Sequence, residues 1–158
     1  MALILHLENL GDLKFELYIN EAPNACKNFL ALAASEYYNG TKFHRNIKGF
    51  IIQGGSPGGN GKGGTSIFDG QPFADEISDT LKHDRRGVLS MANSGSNKNL
   101  SQFFITYGAH ESLDSKYTIF GKLIDGFSTL DKLEIEGNAV GKGNAVGKGN
   151  KPLNDLVI

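Results

Sequence analysis

Residues 43–55 read Phe43-His44-Arg45-Asn46-Ile47-Lys48-Gly49-Phe50-Ile51-Ile52-Gln53-Gly54-Gly55, and their reading decides what the chain can be. A guanidinium, Arg45, precedes an apolar run that closes on the amide of Gln53 and a glycine pair. A strand alternates its side chains between two faces. Period two therefore sets Phe50, Ile52 and Gly54 on one face and Ile51 and Gln53 on the other. The same alternation turns His44 away from Arg45 and gives it a structural place rather than that of a general base. No nucleophile, metal-ligand cluster or carboxylate pair accompanies the stretch. Chemistry here must come from a positioned cation beside an apolar surface.

Upstream, Leu3, Leu5 and Leu7 alternate with Ile4, His6 and Glu8. After Asn9-Leu10-Gly11-Asp12, Leu13, Phe15, Leu17 and Ile19 alternate with Lys14, Glu16 and Tyr18. This pattern predicts a β-hairpin with one buried face. Cys26, Phe29, Leu30 and Ala33 then recur at i, i+3, i+4 and i+7 behind Pro23, which suits a first helical turn, so a helix is expected over about 23–36.

Downstream, strands are expected at about 42–46, 49–54, 87–91, 102–106 and 117–123. Asp125 is placed to cap a second helix carrying Phe127, Leu130 and Leu133, and Leu153–Ile158 reads as a closing strand. Many short strands with two helices favour a mainly β fold, a closed barrel, over an α/β sheet.

A length of 158 residues fits one domain, 1–158, with a sizeable core. A net charge of -1 gives no global case for nucleic acid or an anionic membrane. Lys82-His83-Asp84-Arg85-Arg86 is the one local basic cluster and reads as a solvated loop. The lone cysteine, Cys26, falls on the apolar helix face as a core residue and implies a reducing compartment, cytosol or nucleus. His6 and Glu8 interrupt the N-terminal apolar residues too early for a secretory signal, and no run approaches a membrane span. Gly59, Gly61 and Gly64 match GxGxxG, but the turn-rich residues that follow lack the helix a dinucleotide loop requires. GNAVGK occurs at 137–142 and again at 143–148, which lengthens a surface loop rather than building a solenoid.

Ser90-Met91-Ala92-Asn93-Ser94 and Ser101-Gln102-Phe103-Phe104-Ile105-Thr106 complete a pattern with residues 43–55. FHRxIxGFxxQGG, SMAN and SQFFIT, in that order, resemble the cyclophilins, peptidyl-prolyl cis–trans isomerases that bind cyclosporin. The resemblance spans about residues 2–158 and includes Leu113-Asp114-Ser115-Lys116-Tyr117-Thr118. It implies a closed eight-stranded antiparallel β-barrel capped by two helices, acting on proline-containing peptides and proteins as a monomer, without cofactor or metal.

By resemblance, Arg45 is the catalytic arginine and Phe50, Ile51, Phe104, Leu113 and Tyr117 form the proline pocket. Gln53, Asn93 and Gln102 bind the peptide backbone, and Gly61, Ala92 and Ser94 line the site. Several positions depart from the family pattern. Ser112 stands where many members carry a tryptophan that contacts cyclosporin, which implies weak drug affinity. Tyr117 replaces a common histidine and Ile51 a methionine, while Ser96 and Leu100 replace a proline and a glycine. The Lys116-Tyr117-Thr118 context is similar to the short single-domain cyclophilins associated with the spliceosome, so spliceosomal proteins are expected partners. A proline-binding module within such an assembly, with incidental turnover, is the alternative reading.

Overall fold

Leucines spaced two apart pair across a tight turn, and the rest of the sheet grows on that ribbon. The structure, a computed structural model, describes residues 1–137. Its strands are β1 (Ala2–Leu7), β2 (Gly11–Leu17), β3 (Arg45–Ile47), β4 (Ile51–Gly54), β5 (Val88–Asn93), β6 (Asn99–Thr106) and β7 (Ile119–Asp125). Two helices, α1 (Pro23–Ala34) and α2 (Phe127–Gly137), and a 3-10 turn at Glu111–Leu113 complete the described elements. All seven strands join one antiparallel sheet in the order β1-β2-β7-β5-β6-β4-β3. The eighth strand expected at Leu153–Ile158 lies outside the described residues, as does the GNAVGK repeat beyond Gly137.

Leu5 and Leu7 on one edge strand share a core cluster with Ile52 on β4 and with Phe43, just ahead of the opposite edge strand, so the sheet curls around its core. Phe29 of α1 packs 5.1 Å from the rings of Tyr38, Phe103 and Phe120. Burying each such ring contributes about 1.5–3 kcal/mol. Cys26 lies on this buried face as expected, and burial pushes its thiol up to about 12. Ile19 departs from the hairpin pattern: β2 ends at Leu17, and Ile19 lies beyond it in an exposed turn.

Helix starts show what local sequence leaves open. Pro23 opens α1 as expected, but no side chain at its N-cap bonds the free amides. The carboxylate of Glu76 accepts the Asn24 and Ala25 N–H groups instead, at 3.1 and 2.8 Å. At α2 the cap is displaced by one residue: Asp125 accepts the Gly126 N–H, and the helix begins at Phe127.

The edge strand β3 is bolted to α2. Buried Asn46 donates to the Leu133 carbonyl at 2.9 Å and accepts from the Tyr107 hydroxyl at 2.7 Å. Arg86 packs its guanidinium over the Tyr107 ring and pairs with Asp131 and Glu134. A strand that would otherwise be a free edge thereby holds Arg45 in a fixed position.

Candidate active site

Sheet register assembles the site in one row. Arg45 pairs with Gln53, Gln53 with Phe104, Phe104 with Ser90, and Ser90 with Ile119. Cross-strand partners share a face, so these side chains point away from the main core. The adjoining row, Asn46-Ile52-Ile105-Leu89-Gly121, faces into it. Phe103 therefore enters the core and Phe104 the opposite face, the split that alternation predicts for this pair.

On that face Ile51, Ala92 and Phe104 form a second apolar cluster, with Phe50, Leu113 and Tyr117 packed around it. The five residues expected to form a proline pocket thus come together, with Ala92 as a sixth. Phe50 reaches it by a route that differs from the expectation. It belongs to the turn before β4 rather than to the strand, so its ring joins Ile51's cluster instead of following Ile52 into the core. The Phe50 ring meets His110 edge-on at 4.8 Å.

Behind the pocket lies a buried polar unit. The His83 ring stacks on Phe104 at 5.8 Å and 19°, while Tyr117 meets Phe104 edge-on at 5.4 Å. His83 Nδ1 lies 2.9 Å from Asp114 Oδ1, which also accepts the His83 backbone N–H. Nε2 is 3.1 Å from Ser90 Oγ, which is itself 3.0 Å from the Thr118 carbonyl. Burial lowers the His83 pKa against the opposing pull of Asp114, so the ring is neutral, with Nδ1–H donated to the carboxylate. Burial raises the Asp114 pKa, but the His83 hydrogen bonds outweigh that and hold it below the usual range. The solvated loop expected at 82–86 is therefore corrected. His83 and Arg86 turn inward, and only Asp84 and Arg85 pair in the open.

Ala92 also borders a polar groove of about 310 Å³ lined by Gln53, Gly61, Gly63, Asn93, Ser94, Lys98, Leu100 and Gln102. Gln53 donates to the Gln102 side-chain oxygen at 3.2 Å, and Gln102 donates onward to the Gly61 and Gly63 carbonyls, both at 3.1 Å. Asn93 donates to the Lys116 carbonyl and accepts from the Gly95 N–H. Amide side chains thus brace the glycine loop and the turn that form the groove's walls.

The expectation that His44 faces away from Arg45 fails for a backbone reason. His44 N–H donates to the Gln53 carbonyl, although Gln53 is the register partner of Arg45. Two residues oppose one, as in a β-bulge, and alternation breaks. The His44 ring lies against Gly61, where a Cβ would stand 2.8 Å from its Cδ2. Burial and the neighbouring Arg45 lower its pKa.

Arg45 itself is half-buried, with no hydrogen bond or ion pair to its guanidinium among the described residues. No group of three or more potential metal ligands exists among those residues. Sequence reasoning missed the contribution of His83 and Ser90, and the places of Lys98 and Gly63 on the groove. A histidine in a charged run carries no local sign of burial, and its partner Asp114 is 31 residues away.

A curled antiparallel sheet bearing one open guanidinium, an apolar pocket and an adjoining polar groove defines a class of protein that grips an extended chain at a compact apolar residue. Comparison with known proteins gives the family. The model of the cyclophilin-type peptidyl-prolyl cis-trans isomerases matches residues 2–158, and the chain belongs to that family. It is 57% identical over 158 residues to peptidyl-prolyl cis-trans isomerase-like 3 of Gallus gallus, covering 100% of this chain and 92% of that one. The Arabidopsis thaliana peptidyl-prolyl cis-trans isomerase CYP18-1 is 62% identical over 134 residues, 85% of this chain and 82% of its own. A Cryptosporidium parvum cyclophilin-type isomerase superposes with a TM-score of 0.91 at 54% identity, covering 99% of this chain and 93% of that one. A second structure of that protein, determined in the presence of the dipeptide Ala-Pro, superposes equally well at 53% identity, covering 100% of this chain and 95% of that one.

Proposed function

We propose that this isomerase turns X-Pro bonds by setting Arg45 against the prolyl nitrogen while the apolar pocket holds the ring. The observation that carries the reading is the row Arg45-Gln53-Phe104, which sets an unengaged cation, an amide and the pocket's aromatic ring side by side. Resonance holds a peptide bond planar behind a barrier of ~18–20 kcal/mol. At ninety degrees that resonance is lost and the nitrogen regains a lone pair. A guanidinium hydrogen bond to that lone pair is stronger in the twisted state than in the planar one, so it lowers the barrier. Arginine suits the task because it stays charged and presents a rigid donor fork.

Phe50, Ile51, Phe104, Leu113 and Tyr117 would exclude the water that favours the polar planar amide. Gln53 and Asn93 would hold flanking backbone while one side rotates, with Gln102 keeping the wall formed by Gly61, Ala92 and Ser94 in place. An acceleration of about 10⁵ would require about 7 kcal/mol of differential stabilisation, more than one hydrogen bond supplies. Cation and clamp are both needed.

The test is exchange spectroscopy on an Ala-Pro peptide. Wild type should transfer magnetisation between cis and trans forms, and Arg45→Ala should lose most of that transfer while keeping its fold. Unchanged exchange in the folded variant removes Arg45 from the reaction. Ser112 sits in the 3-10 turn beside Leu113 and, by resemblance, stands where many family members carry a tryptophan that contacts cyclosporin. Cyclosporin should accordingly inhibit the exchange only weakly. The buried thiol of Cys26 fits a reducing compartment, cytosol or nucleus, with client proteins found there, spliceosomal ones included.

A further inference from the structure

The amide side chains that brace the groove are engaged by the fold, whereas Ser94 and Lys98, which also line it, have no side-chain partner among the described residues. Gln53 and Gln102 form a relay to the Gly61 and Gly63 carbonyls, and both ends of the Asn93 amide are in use. The Lys98 ammonium has no hydrogen-bond or ion-pair partner among the described residues, and it is the groove's one charged lining side chain. No Asp or Glu lines the groove among the described residues.

The turn that presents Lys98 is fixed on both sides. Asp75 accepts the Asn97 N–H at 3.0 Å and the Asn99 side-chain N–H at 2.7 Å, and Asn97 Oδ1 accepts the Asp75 N–H at 2.9 Å. Both oxygens of that nearby carboxylate are thus held by the residues flanking Lys98. The Lys98 N–H donates to the Gly95 carbonyl, which closes the turn. A cation on a braced turn loses little further backbone freedom when a ligand binds, so its charge is available to recognition.

We propose that Lys98 is a specificity-determining residue, selecting proline peptides that carry Asp or Glu on the flank that crosses the groove. The inference rests on the isomerase reading of the adjoining pocket. Ala92 belongs to both the pocket and the groove, so a chain seated with proline in one lays a neighbouring residue over the other. With Arg45 the site presents two cations, and the nearby carboxylates of Asp75 and Asp114 are held by hydrogen bonds within the fold rather than lining the groove, so acidic chains are steered toward it. An exposed pair of this kind supports a preference of about two- to fivefold.

The experiment scans Glu against Gln through the three positions on either side of the proline in a model peptide. Both kcat/KM and Kd are measured for wild type, Lys98→Gln, Lys98→Glu and Lys62→Gln. One position should favour Glu by that factor in wild type, through KM rather than kcat, and the preference should shrink with added salt. It should vanish in Lys98→Gln, reverse toward Lys-bearing peptides in Lys98→Glu, and persist in Lys62→Gln, whose lysine stands on the glycine loop outside the lining. No Glu preference at any position, or a preference that survives Lys98→Gln or falls equally in Lys62→Gln, overturns the proposal. Peptides that bind without turnover overturn the isomerase reading instead, and Lys98 is then judged on Kd alone. Failure to bind any of the peptides overturns both.

Discussion

The pocket and the groove share Ala92 but are built by different means. The pocket is packed from the strand residues Ile51, Ala92 and Phe104, with Phe50, Leu113 and Tyr117 closing on them from turns, and is backed by the buried His83-Asp114-Ser90 unit, so its shape is set by close contact. The groove is walled by a glycine loop and a turn held together through amide side chains. Packed walls suit one compact group, here a proline ring. Hydrogen-bonded walls with a single cation tolerate varied neighbours and rank them by charge. Turnover should therefore depend on the pocket and its arginine, and client choice on the groove.

The largest effect expected is that of Arg45→Ala, a loss of about 10²–10³ in kcat with the thermal midpoint nearly unmoved. A loss carried by KM alone would reduce the arginine to a binding residue and blur the distinction. Next comes Phe104→Ala, which removes a ring packed on both His83 and Tyr117. It should cost about 3 kcal/mol of stability in urea unfolding and weaken proline binding as well. Stability loss with intact binding would show that Phe104 only props the sheet.

Gly61→Ala tests the groove. Its φ of +81° and the 2.8 Å approach to His44 leave no room for a Cβ without movement. We expect a raised KM, kcat within about twofold, and about 1 kcal/mol less stability. A fall in kcat alone would couple the glycine loop to the chemistry.

The smallest effect concerns pH. Burial depresses the His83 and His44 pKa values, so below about 6.5 the unfolded chain binds protons that the native state refuses. The stability held by the neutral rings is complete above about pH 6.5 and is lost as pH falls toward the depressed values. Urea midpoints should be flat from pH 8 to about 6.5 and then decline. A flat profile down to pH 5 would show that neither ring is held neutral.

Much of the site was legible because it follows strand alternation. Ile51 with Gln53, and Phe104 opposed to Phe103, needed only period two. Phe50 and His44 were misplaced where that period stops, at a turn and at a bulge. Neither position carries a residue type that announces the break: Phe50 follows only one of the many glycines of residues 49–64, and no glycine stands beside His44.

The sequence by itself determined the hairpin, the helix behind Pro23, the two faces of β4 and β6, and the pairing of a cation with an apolar run. These depend on backbone geometry and on residues a few positions apart. Tertiary structure alone decided that Glu76 caps α1, that α2 clamps the strand of Arg45, and that His83 leaves a charged run to stack behind Phe104. Each joins residues 21 to 87 positions apart. Burial and hydrogen bonding at that separation follow from how the whole sheet curls, and no local pattern records them.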